Sequence, residues 1–149
     1  MTPTDFLSTC WTPASPRQRD AMTAVGLGWT NIHPKAFTPT GREICGTKPG
    51  ATDDAWGVGR NYIPRYTDPA SGASEEIRLI AGKWNQGHTR EDSDEFDSPW
   101  FHFMGCWRLV CPWGYFISDN VAHDLCAAFV FAQLAVGAVT EEQLREVLA

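Results

Sequence analysis

The 149-residue sequence lacks any apolar run of the ~18 residues that a membrane-spanning helix requires. Its first residues, MTPTDFLSTCW, have neither a basic stretch nor a long apolar core, so they do not resemble a secretory signal peptide. Signatures of zinc proteases, serine hydrolases, P-loop nucleotidases and kinases are also missing. We therefore expect a cytoplasmic protein that has no cofactor and does not contact membranes.

Cysteine is too sparse for a disulfide framework. Five cysteines are spread over the whole chain, and an odd number leaves at least one thiol unpaired. Small secreted proteins stabilised by disulfides have denser and even sets of cysteines. We expect these thiols to be reduced and buried.

Positive charge is scarce in the second part of the chain. The net charge is −6, but residues 91–149 carry ten acidic and only two basic residues, a balance of −8. Such a segment would repel a phosphate backbone, so direct nucleic-acid binding is not expected there. A partner protein with a basic surface would be attracted instead. No sequence feature indicates an oligomeric state.

Two capping boxes predict the ends of helices. Ser15-Pro16-Arg17-Gln18 places a serine before a proline and a glutamine at the third helical position, which predicts a helix ending near Gly26. Thr140 and Gln143 form a second box, which predicts a short helix over residues 141–148. Residues 119–136 predict a long helix that is apolar on nearly every side, as in a central core helix.

Short strands are predicted in the middle of the chain, over residues 43–45, 56–66 and 77–84. The stretch FHFMGCWRLVC at 101–111 is interpreted as a core strand. Alternation would bury one of its faces, formed by Phe101, Phe103, Gly105, Trp107, Leu109 and Cys111. The sequence thus predicts a single α+β domain over 1–149, with short, mainly antiparallel strands and helices near both termini.

Four side chains are weak candidates for a metal site. His102 and Cys106 would share the other face of the predicted strand, about 13 Å apart. His123 and Cys126 share a face of the long helix. The simpler interpretation is a set of buried side chains, because zinc sites commonly need two cysteine knuckles or a histidine pair. No metal is predicted.

A nucleophilic cysteine is a further alternative. Cys45 precedes a glycine and could react if His33 or His88 acted as its base. The segment GVGRNY at 57–62 begins like a dinucleotide fingerprint but lacks the third glycine, so a glycine-lined turn is the preferred interpretation. No catalytic residue is predicted.

The strongest candidate for a binding site is an acidic stretch with aromatic residues inside and beside it. Its members are Glu91, Asp92, Asp94, Glu95, Phe96, Asp97 and Trp100. Aromatic anchors within a charged rim are typical of binding hot spots. A solvated loop and a calcium site are alternatives, but the spacing does not match an EF-hand.

Three functions follow from these features. The first is a small, acidic, soluble interaction protein that docks on a basic, nucleic-acid-binding partner, as inhibitors encoded by phages and other mobile elements do. The second is a structural subunit of a larger assembly such as a virus particle. The third is a small hydrolase or transferase that uses cysteine and histidine. We rank them in this order because the acidic and aromatic composition favours binding.

Overall fold

The computed structural model describes residues 1–35, 43–50, 61–87, 98–111 and 121–148. Its helices are α1 Pro3–Phe6, α2 Pro16–Gly26, α3 Glu75–Gly87, α4 Pro99–Val110, α5 Val121–Ala135 and α6 Glu141–Leu148. Its strands are β1 Thr30–Lys35, β2 Glu43–Thr47 and β3 Asn61–Tyr62. A π-helical turn, Leu7–Trp11, continues α1, and a 3-10 turn, Pro69–Ser71, precedes α3. Within these ranges, no helix is long and apolar enough to cross a membrane.

The core is built around α5. Every residue from Asp124 to Ala132 is buried, because α2, α3 and α4 pack around this helix. A helix covered on several sides has no polar face, which is the pattern that the sequence shows. The predicted central helix is therefore confirmed from residue 121 onward, whereas residues 119 and 120 lie outside the described part.

The strands form one antiparallel sheet in the order β1-β2-β3. Ile32 and Ile44 pack against the hydrophobic core and Ile63, directly after β3, belongs to it. Helices with a small antiparallel sheet confirm the α+β class. The strand predicted at 43–45 is confirmed as part of β2. Of the strand predicted over 56–66, only residues 61 and 62 are confirmed, as β3; residues 63–66 are not in a strand, and 56–60 lie outside the described residues. The sequence did not predict β1.

Both predicted capping boxes are formed. Ser15 Oγ accepts a hydrogen bond from the Gln18 N–H, and the Gln18 side chain accepts one from the Ser15 N–H. Thr140 and Gln143 make the equivalent pair at α6. Each box satisfies two backbone donors that the first helical turn leaves unpaired. The helices predicted from these signals are therefore confirmed, with α2 extending through Gly26.

Two predicted strands are wrong. Residues 77–84 lie within α3, and residues 101–110 lie within α4. Ser98 accepts a hydrogen bond from the Phe101 N–H and precedes Pro99, so α4 starts with the serine-proline signal that starts α2. The buried residues of α4 are Phe103, Cys106 and Trp107, which follow a helical and not an alternating period.

Candidate functional site

The outer face of α4 exposes large apolar side chains. Phe101 is 45% exposed and Leu109 is 50% exposed, although the strand interpretation had assigned both to a buried face. They lie four residues before and four residues after Gly105, so the three residues form one stripe along the helix. A Cβ atom at Gly105 would meet no atom within 4 Å, so the centre of the stripe is an open notch.

The N-terminal segment forms a wall beside this stripe. Met1 and Pro3 line a concavity of about 540 Å³ together with Phe101, Gly105 and Phe131. Farther along, Leu109 borders a second concavity of about 430 Å³ with Thr4, Leu7, Ser8 and Thr12. We call the two concavities together the α4 groove. Both lie between α4 and the segment of α1 and the π-helical turn.

Few polar groups line the first concavity. The His102 imidazole packs edge-on against Phe101 and Phe131, with ring centroids 5.3 and 6.2 Å away. Glu141, in the first turn of α6, lies at the border and pairs with Arg145 Nη2 at 3.1 Å. Both members of this pair are well exposed, so the pair contributes little and a second cation could replace Arg145 at small cost.

The acidic stretch immediately precedes α4 in the sequence. Glu91, Asp92, Asp94, Glu95, Phe96 and Asp97 lie outside the described residues. Asp97 is bonded to Ser98, the residue that caps α4, so the stretch joins the helix at its Phe101 end. Trp100 is described: it is half-buried, and its ring stacks on Phe103 at 5.5 Å. Part of Trp100 is therefore accessible at the junction.

The four metal candidates are not brought together as ligands. On a helix, His102 and Cys106 are about 6 Å apart along the axis, which corrects the spacing expected for a strand. Cys106 points into the core, whereas His102 lies at the α4 groove. The Cys126 thiol donates to the Tyr66 carbonyl at 3.6 Å. Among the described residues, no three histidine, cysteine or acidic side chains are arranged to hold a metal ion.

Burial also makes two thiols poor nucleophiles. It raises the pKa of the Cys106 thiol to about 12, and the nearby Asp124 carboxylate adds to the increase. Burial likewise raises the pKa of Cys126 to about 12. Since the thiolate is the reactive form, both side chains are almost wholly in the unreactive form near neutral pH.

The remaining metal candidate, His123, has a structural role that the sequence did not reveal. Trp11 Nε1 donates a hydrogen bond to His123 Nε2 at 2.9 Å. An indole N–H can only donate, so the imidazole carries its proton on Nδ1, which lies 3.1 Å from Asp124 Oδ1. The bond joins the N-terminal segment to α5 across 112 residues of sequence, a pairing that no local pattern signals.

The register of the sheet places two of the residues proposed for nucleophilic chemistry opposite each other. His33 and Cys45 are paired across β1 and β2, while His88 lies outside the described residues. Cys45 is only 1% exposed. His33 Nδ1 lies 2.6 Å from the Asn31 carbonyl. The two residues are thus partners in the sheet, but the buried Cys45 thiol is not presented to a substrate.

The other glycine motif shows no nucleotide site in its described part. Asn61 and Tyr62, the last two residues of GVGRNY, form β3, whereas residues 57–60 lie outside the described ranges. A dinucleotide fingerprint would open a helix at this point. Asn61 and Tyr62 are extended, in disagreement with that motif.

A buried ion pair also escaped the sequence analysis. Asp20 accepts from Arg17 Nη1 and from both the N–H and the hydroxyl of Thr67, each at 2.8 Å. Arg17 Nη2 donates to the Ile63 carbonyl at 2.9 Å. These bonds tie α2 to the segment after β3. The arrangement leaves no open position for a substrate around the Asp20 carboxylate, so its role is structural.

Comparison of the chain with known protein families, characterised proteins and solved structures gives no match. The α4 groove is consequently the site whose geometry bears most directly on function. It is mostly apolar and concave and is bordered by the Glu141 carboxylate, which suits binding of another molecule.

Proposed function

We propose that the protein is a non-catalytic interaction protein that docks on a basic partner protein through the α4 groove and the adjoining acidic stretch. The main observation in support of this proposal is the solvent-facing apolar stripe of α4, where Phe101 and Leu109 are each about half exposed. Exposed aromatic and aliphatic side chains that border a concavity are typical of interaction sites.

Electrostatics supports the choice of a basic partner. The elements that form most of the groove, α4, α5 and α6, belong to the part of the chain with a balance of −8. Like charges would repel an acidic protein or a nucleic acid, whereas lysine and arginine side chains would be attracted over about 8–10 Å at physiological salt. Glu141 provides a carboxylate at the groove itself.

The size of the apolar surface explains why the acidic stretch is needed as well. Complete burial of a phenylalanine or leucine contributes about 1.5–3 kcal/mol, and Phe101 and Leu109 are already about half buried. Their remaining burial would therefore supply about 1.5–3 kcal/mol together, whereas a micromolar complex needs about 8 kcal/mol. Additional contacts, including those of the acidic stretch, must provide the difference.

A partner that binds nucleic acid suits this arrangement best. Carboxylates presented on a protein surface can occupy positions that phosphates would otherwise take on a basic groove. The protein would then act as an inhibitor by competition. The alternative, a small hydrolase or transferase that uses cysteine and histidine, draws no support from Cys45, which is 1% exposed, or from Cys106 and Cys126, whose pKa values are raised to about 12.

Affinity capture with matched variants tests the proposal. The bait proteins are the unchanged chain, Phe101→Glu, the quadruple alanine variant of Asp92, Asp94, Glu95 and Asp97, and Leu79→Glu. Leu79 is 58% exposed on α3, so its substitution introduces the same charge on another exposed apolar residue. We expect a basic protein that is lost from the first two variants and retained by Leu79→Glu.

Quantitative mass spectrometry of the captured proteins at low and high salt provides the measurement. Capture should fall as salt rises, and added DNA should displace the partner if the protein occupies a nucleic-acid groove. A captured set that is identical for all four baits would contradict the proposal.

A further inference from the structure

The shape of the α4 groove narrows the kind of partner segment that it can accept. Phe101 and Leu109 are about 12 Å apart along the helix axis, with the open notch of Gly105 halfway between them. The first concavity extends from Phe101 over Gly105, and the second borders Leu109. The surface therefore offers two apolar hollows along α4, and at Gly105 another backbone can approach closely.

An extended peptide would find little to bind on this surface. A strand gains affinity by pairing with free backbone N–H and C=O groups at a sheet edge. Around Gly105 the walls are helices, whose backbone groups in mid-helix are already paired within each helix. Side chains must therefore provide the contacts, and a helix projects them in rows at three- and four-residue spacing.

A helix crossing α4 near Gly105 matches both hollows. Glycine at the crossing point lets two helix axes come closer than side chains would otherwise permit. Apolar residues one and two turns apart on the incoming helix would enter the hollows beside Phe101 and Leu109. Packing of such ridges into grooves is the usual way in which helices meet.

Net charge distinguishes two possible occupants of the α4 groove, a helix of another protein and a second copy of this chain. Two copies that met through α4 would bring together two segments with a balance of −8 each. Repulsion of this kind disfavours association of like surfaces. A helix that carries lysine or arginine beside its apolar row would instead meet the Glu141 carboxylate and be attracted by the net negative charge of this part of the sequence.

We propose that the α4 groove binds a basic amphipathic helix of the partner, crossing α4 at Gly105 with its apolar face in the two hollows. This inference rests on the proposed docking function and specifies the partner segment that the site recognises. Recognition of an amphipathic helix by an apolar groove is an established binding mode of other proteins.

Fluorescence polarisation with a defined peptide tests the inference. The probe is a labelled helix of leucine and lysine, about five turns long, with one apolar face. One control peptide has the same composition in a scrambled order. The other has glutamate in place of lysine. The protein is the full chain, with the variants Gly105→Trp and Leu109→Glu and their matched controls Gly82→Trp and Leu79→Glu. Gly82 is an exposed helical glycine on α3, where an added Cβ atom would meet nothing within 4 Å.

The expected result is saturable binding of the amphipathic basic peptide alone. Gly105→Trp fills the notch and Leu109→Glu places a charge in the stripe, so each should raise the Kd about tenfold or more. Gly82→Trp and Leu79→Glu should change the Kd less than about twofold, because both residues lie on α3 and not in the groove. Circular dichroism and the Tm of each variant establish that it is folded.

Three results would overturn the inference. The first is no binding of the amphipathic peptide, or equal Kd values for all variants. The second is equal binding of the scrambled peptide, which would show attraction by charge alone. The third is concentration-dependent dimerisation in sedimentation that Leu109→Glu abolishes, which would make a second copy the occupant. Capture of a basic protein that depends on the acidic residues would still support the proposed function after either of the first two.

Discussion

Replacing Gly26 by alanine should destabilise the fold by a steric conflict between α2 and α5. A Cβ atom at this position would lie 2.9 Å from Phe129 Cε1 and 3.5 Å from Cδ1. The ring cannot easily retreat, because Phe129 is fully buried and stacks on Trp84 at 5.6 Å. Overpacking of this kind costs about 1–3 kcal/mol, of which the better helix propensity of alanine returns at most about 1 kcal/mol.

Gly82→Ala is the matched control for this substitution. Gly82 also lies in a helix, but an added methyl group would meet nothing within 4 Å. Its replacement should therefore stabilise the protein by about 0.5–1 kcal/mol. Urea unfolding, followed by tryptophan fluorescence at one protein concentration, should show midpoints that move in opposite directions from that of the unchanged protein.

The refuting result is a Gly26→Ala protein that is as stable as, or more stable than, the unchanged chain. Such a result would mean that α2 and α5 do not approach each other this closely. A double-mutant cycle with Phe129→Leu locates the conflict. Because the smaller side chain makes room for the methyl group, Gly26→Ala should cost less in the Phe129→Leu background.

Two further predictions concern buried polar groups. Asp20→Ala should lower the free energy of unfolding by about 3–5 kcal/mol, since it removes the carboxylate that pairs with the largely buried Arg17 and accepts from the Thr67 N–H. Glu75→Gln on the surface should leave the urea midpoint unchanged. A midpoint for Asp20→Ala within error of the unchanged protein would contradict the buried network. Because burial raises the pKa of Cys106 and Cys126 from 9.0 to about 12, the folded state keeps these protons longer than the unfolded chain does. Their contribution to stability is complete below pH 9 and is lost as the pH rises toward 12. The urea midpoint should therefore fall as the pH rises from about 9 to about 11, and less steeply when both are replaced by alanine. A midpoint independent of pH over this range would be inconsistent with burial of the thiols.

The helices with local start signals could be predicted from the sequence. The capping boxes at Ser15 and Thr140 involve residues three positions apart, so the information lies within a single turn. The central helix was predictable for a different reason, because an apolar segment of that length without alternation has to be covered on all sides.

The error at α4 shows where this approach fails. The apolar residues of 101–111 fit an alternating period as well as a helical one, because both faces of α4 carry large apolar side chains. Ser98 and Pro99 held the deciding information, since the same pair starts α2 at Ser15. A helix with apolar residues on both its buried and its exposed face cannot be identified by a periodicity that assumes a single buried face.

The candidate site was only partly accessible to sequence reasoning. Composition indicated an acidic and aromatic binding surface, and Trp100 lies at the start of α4 as a half-buried member of it. The groove itself depends on the approach of Met1 and Leu7 to α4. These residues are about a hundred positions from α4 in the sequence, so no local pattern predicts their contact. The bond between Trp11 and His123 that helps to hold this segment is equally distant in sequence.

The position of Met1 has a practical consequence for every experiment on binding. Because Met1 borders the first concavity, an affinity tag fused to Met1 would begin at the edge of the proposed docking surface and obstruct access to it. The opposite end of the chain is a better attachment point. Glu141 borders the groove at the start of α6, and eight residues of helix carry the chain about 10 Å away before Leu148.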